Sequence, residues 1–253
     1  MFAPTPKTIR LLVSARSPAD ARAAIAGGCD VLDVKEPTRG SLGRSEPETI
    51  AAICRVADES TPQLESTPRM TVSVALGEIA EWQHGGAISG LPPSVTYAKL
   101  GLSGCRPDRD WVRRWRNVRD RVDDVAGRRL DWIAVIYADQ AADAPAADAV
   151  IDAAASSGCR GVLVDTFQKN QRRLLDHVST AVLCRWHASS KASGMLFAVA
   201  GSLRAADVPS LIAEVGPDVI AVRGAVCRDG VREGDVCSDA VRRLREALHK
   251  GPR

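Results

Sequence analysis

Six of the chain's 34 basic residues are lysine and the remainder are arginine. Arginine supplies charge but stays protonated, whereas a lysine whose pKa is lowered can lose its proton and attack a carbonyl carbon. In a chain that takes most of its positive charge from arginine, the places that keep lysine are therefore informative. Lys7, Lys191 and Lys250 stand apart, but Lys35, Lys99 and Lys169 stand at or just past the ends of short apolar runs. The first run reads Val31-Leu32-Asp33-Val34-Lys35, and in a strand of period two it puts Asp33 and Lys35 on one face. The second ends Tyr97-Ala98-Lys99-Leu100-Gly101, and the third ends Val164-Asp165-Thr166 with Lys169 just beyond. An amine crowded by two others and partly desolvated is expected to be neutral near pH 7 and fit for Schiff-base formation, with Asp33 and Asp165 placed to move protons. The competing reading is a set of structural ion pairs. Three lysines gathered in a lysine-poor chain favour chemistry.

Glycine-rich turns supply a second signal. Gly201-Ser202-Leu203 follows the run Phe197 to Ala200, and Gly224-Ala225 follows Val222-Arg223. Backbone N–H groups in such turns, with the positive end of a short helix, bind phosphate. The loop Gly40-Ser41-Leu42-Gly43 offers a further anion cradle through Ser41.

These residues need elements to hold them. Ile9 to Ser14 is a strand, and Ser17-Pro18-Ala19-Asp20 opens a capped helix that stops at Gly27-Gly28. The same grammar recurs. Strands are expected over 31–35, 70–76, 98–101, 132–137, 161–165, 196–200 and 219–222. Helices are expected from about 46, after the third strand, over 109–125, 146–157 and 171–178, from about 204, and over 238–249. Eight β–α units in 253 residues predict a single (β/α)8 TIM barrel, with a doubly wound sheet as the alternative. No Gly-x-Gly-x-x-Gly follows the first strand, which weakens a dinucleotide-binding version of that alternative. In a barrel the carboxyl ends of the strands carry the active site, and the turns after strands 7 and 8 carry the phosphate site. Residues 1–8 read as an N-terminal extension. Residues 58–69, with two Thr-Pro pairs, read as a surface loop insertion at the opposite end of the barrel.

Composition closes off other classes. A formal charge of +3 with 26% charged residues gives no dedicated nucleic-acid or membrane surface. No apolar run is long enough to span a bilayer and residues 1–10 lack a signal-peptide core, so a cytoplasmic protein is expected. Seven cysteines without a C-x-x-C pair indicate neither a disulfide framework nor a zinc site. The four histidines show no metal-ligand spacing, and no metal or organic cofactor is expected. The arginine-rich stretch from Arg106 to Arg129 interleaves Asp with Trp111 and Trp115, which reads as a solvated outer helix packed by its tryptophans. The expected partner is a small phosphorylated substrate, and apolar outer helices leave self-association open.

The strand-end motifs, taken in order, are similar to those of the (5-formylfuran-3-yl)methyl phosphate synthase family. Asp-Val-Lys-Glu-Pro at 33–37, Gly-Ser-Leu-Gly at 40–43, Ala-Lys-Leu-Gly at 98–101, Val-Asp-Thr at 164–166 with Lys169, Ala-Gly-Ser-Leu at 200–203 and Val-Arg-Gly-Ala at 222–225 carry the resemblance. It implies a TIM barrel that condenses two glyceraldehyde 3-phosphate molecules into 4-(hydroxymethyl)-2-furancarboxaldehyde phosphate, the furan precursor of methanofuran. It places the Schiff base on Lys35, further active-site roles on Asp33, Lys99, Asp165 and Lys169, and phosphate binding on the motif glycines and Arg223. Against it stand a class I aldolase-like enzyme using another sugar phosphate and a barrel that binds a phosphometabolite without turning it over.

Overall fold

Alternation along each strand sorts the chain into two apolar layers. Leu11, Val13, Leu32, Val34, Val72 and Val74 face outward into one large core beneath the helices. Their neighbours Leu12, Val31, Leu163, Ala198, Val219 and Ala221 face inward and pack on one another. The computed structural model describes residues 8–60, 69–82, 88, 90–170 and 172–250. Its strands are β1 (Arg10–Ala15), β2 (Val31–Val34), β3 (Thr71–Glu78), β4 (Val95–Gly101), β5 (Asp131–Tyr137), β6 (Gly161–Asp165), β7 (Leu196–Val199) and β8 (Val219–Val222). They pair in sequence order, all parallel, and β8 closes on β1 through Arg10 opposite Val219 and Leu12 opposite Ala221. This is the eight-stranded barrel expected from the sequence. The β1–β8 pairing rules out a doubly wound sheet, which has open edges.

The helices start where local chemistry allows. In α1 (Pro18–Ala26) the Ser17 hydroxyl accepts the Asp20 N–H at 3.1 Å and proline fills the first turn. Gly27 ends it against α7 (Ser238–Lys250), where any Cβ would collide with Val241. Between them lie α2 (Pro47–Glu59), α3 (Trp111–Ala126), α4 (Ala147–Ser156), α5 (Thr180–Ala192) and α6 (Val208–Ser210), which runs into a π turn at Leu211–Val215. Trp115 of α3 is fully buried, and the Arg119 guanidinium lies 4.6 Å from its ring centre and 5.4 Å from that of Trp132. The arginine-rich helix is thus fastened to the barrel by its tryptophans, as its pattern suggested.

Three expected helices differ. After β3 the described residues hold only a 3-10 turn at Ile79–Trp82, entered through Gly77 at φ +79°. The helix expected over 171–178 is a 3-10 turn at Leu174–Asp176, and the true helix begins at Thr180, where Ser179 caps the Val182 N–H. Ser-Thr at 179–180 is the stronger start signal, because the Leu174 side chain is fully buried under the loop. The stretch from Arg204 opens as a 3-10 turn at Ala205–Asp207, with Pro209 setting the short α6. Most of the expected 58–69 insertion, nearly all of the expected 1–8 extension and His84 lie outside the described residues. Among the described residues no helix is long and apolar enough to cross a membrane.

Candidate active site

The strand ends on the β6–β8–β1–β2 side open into a cavity of about 670 Å³. Six cationic side chains line it against three carboxylates, which suits an anionic ligand. All five residues singled out for chemistry, Asp33, Lys35, Lys99, Asp165 and Lys169, line this one cavity.

Asp33 sits opposite Ser14 of β1 and Ser73 of β3 in the parallel register. Lys99, one strand further on, reaches across the barrel interior to donate to Asp33 Oδ1 at 2.5 Å, while the Ser14 hydroxyl donates to Oδ2 at 2.9 Å. Both charges are almost fully buried, at 3% exposure for Lys99 and 1% for Asp33. Asp165 ends β6. Its Oδ1 accepts the Thr166 N–H and the Lys169 ammonium, each at 2.8 Å, and its Oδ2 accepts the Ser41 hydroxyl at 2.9 Å. Burial would raise its pKa, but Lys169 and Lys35 beside it hold the carboxyl down at about 2. Lys169 also donates to the Thr166 carbonyl at 2.6 Å.

Lys35 follows β2, its N–H still bonded to the Ala15 carbonyl at 3.0 Å. Its side chain is 8% exposed, and among the described residues its ammonium makes no hydrogen bond or ion pair. Burial pushes its pKa down to about 7 against the pull of Asp165 and Asp33, with Lys169 and Arg232 adding to the depression. Of the three lysines at the rim, Lys35 is the one without a carboxylate in contact, and hence the one with an amine free to react.

The phosphate-site residues divide. Gly201 at φ +96° and Ser202 at φ +52° adopt consecutive left-handed conformations at the cavity wall. A Cβ on Gly201 would press on Leu174 and Thr166 at 3.1 Å. Among the described residues no protein acceptor takes the backbone N–H groups of Gly201, Ser202, Leu203, Gly224 or Ala225, and all five residues line the cavity. Unpartnered N–H groups grouped in this way fit an anion.

Arg223 and Ser41 are placed otherwise than expected. Arg223 donates to the Ser14 carbonyl at 2.8 Å, Asp20 at 3.1 Å, the Arg232 carbonyl at 2.6 Å and the Gly234 carbonyl at 3.1 Å. Four of its five N–H donors are engaged, so it braces the wall and the loop after β8. The Ser41 side chain is 1% exposed and lies outside the cavity lining, clamping its loop to Asp165 and to the Thr166 carbonyl.

One cavity residue and three residues beside the site lay outside the expected set. Arg232 lines the cavity nine positions after Arg223, in a loop with no pattern to mark it. Asp139 accepts the N–H groups of Phe167 at 2.6 Å and Gln168 at 2.8 Å, fixing the loop that carries Lys169. Glu78 and Tyr137 end β3 and β5 and are hydrogen-bonded to each other. Attention to polar residues at every strand end, not only to lysines, would have found that pair. Among the described residues no group of three or more His, Cys, Asp or Glu could hold a metal.

A closed parallel barrel with its polar groups at the strand ends and unpartnered N–H groups in the turns after β7 and β8 has the build of a TIM-barrel enzyme. Solved structures agree on the fold: phosphoribosyl anthranilate isomerase from Thermus thermophilus aligns over 96% of this chain and 99% of its own with TM-score 0.57 and 16% identity. KGPDC from Streptococcus mutans aligns over 96% and 98% with TM-score 0.59 and 10% identity. Within that class the sequence is decisive. Residues 11–245 match the 4-HFC-P synthase family, and the chain belongs to it. The (5-formylfuran-3-yl)methyl phosphate synthase of Methanococcus maripaludis is 33% identical over 92% of this chain and 97% of its own. That of Methanopyrus kandleri is 35% identical over 94% and 98%. A putative synthase of the same name from Kitasatospora aureofaciens is 36% identical over 80% and 78%.

Proposed function

We propose that this enzyme joins two molecules of glyceraldehyde 3-phosphate into 4-(hydroxymethyl)-2-furancarboxaldehyde phosphate, with loss of one phosphate and two waters, for a methanofuran-type cofactor. The observation that carries the reading is Lys35, a buried amine with a pKa of about 7 and no carboxylate in contact, in a cavity rich in positive charge. Its neutral form attacks the aldehyde carbon of one triose; a carbon–nitrogen bond forms and water leaves. The resulting iminium acidifies the adjacent carbon. Asp33 and Asp165 flank the nitrogen and stabilise its charge, as their pull on the Lys35 pKa implies. Lys169, 2.8 Å from Asp165, relays protons, and Lys99 polarises the second carbonyl from its seat on Asp33. As phosphate departs, its carbon–oxygen electron pair leaves with the oxygen, the neighbouring carbon gives up a proton, and a carbon–carbon double bond forms. The unpartnered N–H groups at 201–203 and 224–225 hold the phosphate that the product retains.

Purified enzyme given glyceraldehyde 3-phosphate alone is expected to yield an ultraviolet-absorbing furan aldehyde of the right mass. Borohydride is expected to trap a substrate adduct on Lys35, at a rate rising about tenfold per pH unit up to about pH 7 and level above it. An adduct without furan would transfer the site to an aldolase-like reaction with another acceptor. Neither adduct nor furan would leave a barrel that only binds phosphometabolites.

A further inference from the structure

The cavity holds a second place where an anion fits. Arg232 lies in the excursion after β8, where Cys227 and Val236 form an antiparallel bridge and the Arg223 guanidinium pins the Arg232 and Gly234 carbonyls. From that fixed base its side chain reaches the loop after β2, donating to the Gly40 carbonyl at 2.7 Å. Among the described residues this is its one side-chain hydrogen bond and it has no ion pair, so four N–H donors remain on a half-buried guanidinium at the cavity wall. Of the other two arginines at that wall, Arg223 is committed to the protein and Arg204 is exposed. The cradle at 201–203 and 224–225 lies after β7 and β8, whereas the Arg232 head lies over the β2 loop. The Arg232 backbone runs beside Gly224, its Cα 3.9 Å from where a Cβ there would stand, and the side chain extends from it to the Gly40 carbonyl, so the guanidinium faces the cavity from the β2 loop and the cradle from the turns after β7 and β8. Lys35, at the end of β2, lies near the arginine head, and Arg232 is among the charges that depress its pKa.

A reaction that takes in two phosphate esters and returns one needs two anion sites of different kinds. The retained phosphate keeps its charge throughout and is served by neutral N–H groups. The departing phosphate gains charge as its carbon–oxygen bond breaks. That calls for a fixed cation that cannot itself give up a proton, presented as a planar fork. We propose that Arg232 is this second anion site, binding the phosphoryl group of the triose whose phosphate is released. This assignment rests on the furan-forming reading above for the identity of its ligand, although not for the existence of the site.

The alternative is that Arg232 only ties the two loops together through Gly40. Calorimetric titration of the intact enzyme with inorganic phosphate, together with furan formation, separates the two. Wild type is expected to bind two phosphate ions and Arg232→Gln one, with unchanged thermal midpoint and kcat for furan lowered roughly 100-fold. Arg232→Lys can still reach Gly40 and keeps the charge, but lacks the fork; its second phosphate is expected to bind about tenfold more weakly. Arg204→Gln, at the exposed rim after β7, is expected to retain both ions. The assignment fails if wild type binds a single ion, if Arg232→Gln and Arg232→Lys both bind two as wild type does, or if Arg204→Gln is the variant that loses one. It fails equally if Arg232→Gln loses stability and both ions together, which would make it a brace. Two ions in wild type and one in Arg232→Gln, with no furan from glyceraldehyde 3-phosphate in wild type, would keep the site and overturn the reaction.

Discussion

The two halves of the barrel mouth are built on the same strand-end geometry and filled in opposite ways. Over β6, β7, β8, β1 and β2 the ends open into the cavity with Lys35, Lys169 and Arg232 at its wall. Over β3 and β5 the mouth is closed by an apolar plug: Leu42, Ala142 and Phe167, from three different loops, pack with Ala75, Val135 and Tyr137. The Phe167 ring meets that of Tyr137 edge-on at 5.4 Å. The plug is stitched by backbone bonds from Gly77 to the Leu42 carbonyl at 2.9 Å and from Gly104 to the Ala142 carbonyl at 2.8 Å. The carboxylates differ accordingly. Asp165, beside Lys169 and Lys35, is held at about 2 and stays ionised, whereas desolvation raises Glu78, bonded to Tyr137, above its ordinary value. One half gathers two ion pairs around an amine without a carboxylate in contact, and the other packs apolar side chains from the loops beside them.

The largest effect should come from Lys35→Met. Loss of the proposed nucleophile is expected to lower furan formation on the order of 10⁴-fold or more. The same change is expected to stabilise the fold. The Lys35 pKa is about 7 in the folded chain against 10.5 as the ordinary value. As pH falls through 10.5 the unfolded chain takes up the proton first, so stability is lost down to about pH 7 and is level below it. Replacing the amine with an apolar side chain of similar length removes that cost. Lys35→Met should therefore melt several degrees above wild type at pH 7, with the gap narrowing toward pH 10. Equal melting points at pH 7 would mean that the Lys35 amine is not desolvated, and the contrast between the two halves would lose its main support.

The order of the eight strands was legible because alternation and capping act over a few residues. For the same reason Lys35, Lys99 and Asp165 could be placed at one rim: each stands in or directly after an apolar run. What could not be read depends on contacts distant in sequence. The pairing of Lys99 with Asp33 spans 66 positions, and it is what leaves Lys35 as the free amine. The family resemblance put Arg223 among the phosphate ligands, but Asp20, 203 positions away, engages it. Ser41 is captured by Asp165 across 124 positions. Arg232 carries no local signal at all; only the folding of its loop over Gly40 brings it to the cavity.

Leu42→Ala tests the partition between the halves, since Leu42 belongs to the plug and also borders the cavity. Its side chain is 2% exposed. Truncation is expected to cost about 3 kcal/mol through lost burial and the void left behind. In a chain of this size that lowers the melting point by about 10 °C. The Asp33–Lys99 pair and the Lys169–Asp165 pair do not depend on it, so kcat should fall less than tenfold. A loss of activity as large as that of Lys35→Met, with the fold intact, would show that the plug shapes the reacting groups themselves.

Tyr137→Phe should have the smallest effect and gives the sharpest test of where chemistry stops. The hydroxyl donates to Glu78 beneath the plug, and neither residue lines the cavity. Its removal leaves the buried carboxyl with the Ser103 N–H at 2.9 Å and without its phenol donor. A cost of about 1 kcal/mol follows. The sign of its pH dependence is fixed by Glu78. A carboxyl whose folded pKa is raised destabilises the fold as pH rises above its ordinary 4.5 and through the folded value. Losing a donor to the ionised form raises that value further, so the deficit of Tyr137→Phe should be larger at pH 8 than at pH 5. Furan formation should stay within about threefold of wild type, because no reacting group in the open half is touched. A fall of more than tenfold, at a pH where the variant is fully folded, would bring Glu78 and Tyr137 into the proton relay and make the closed half part of the active site.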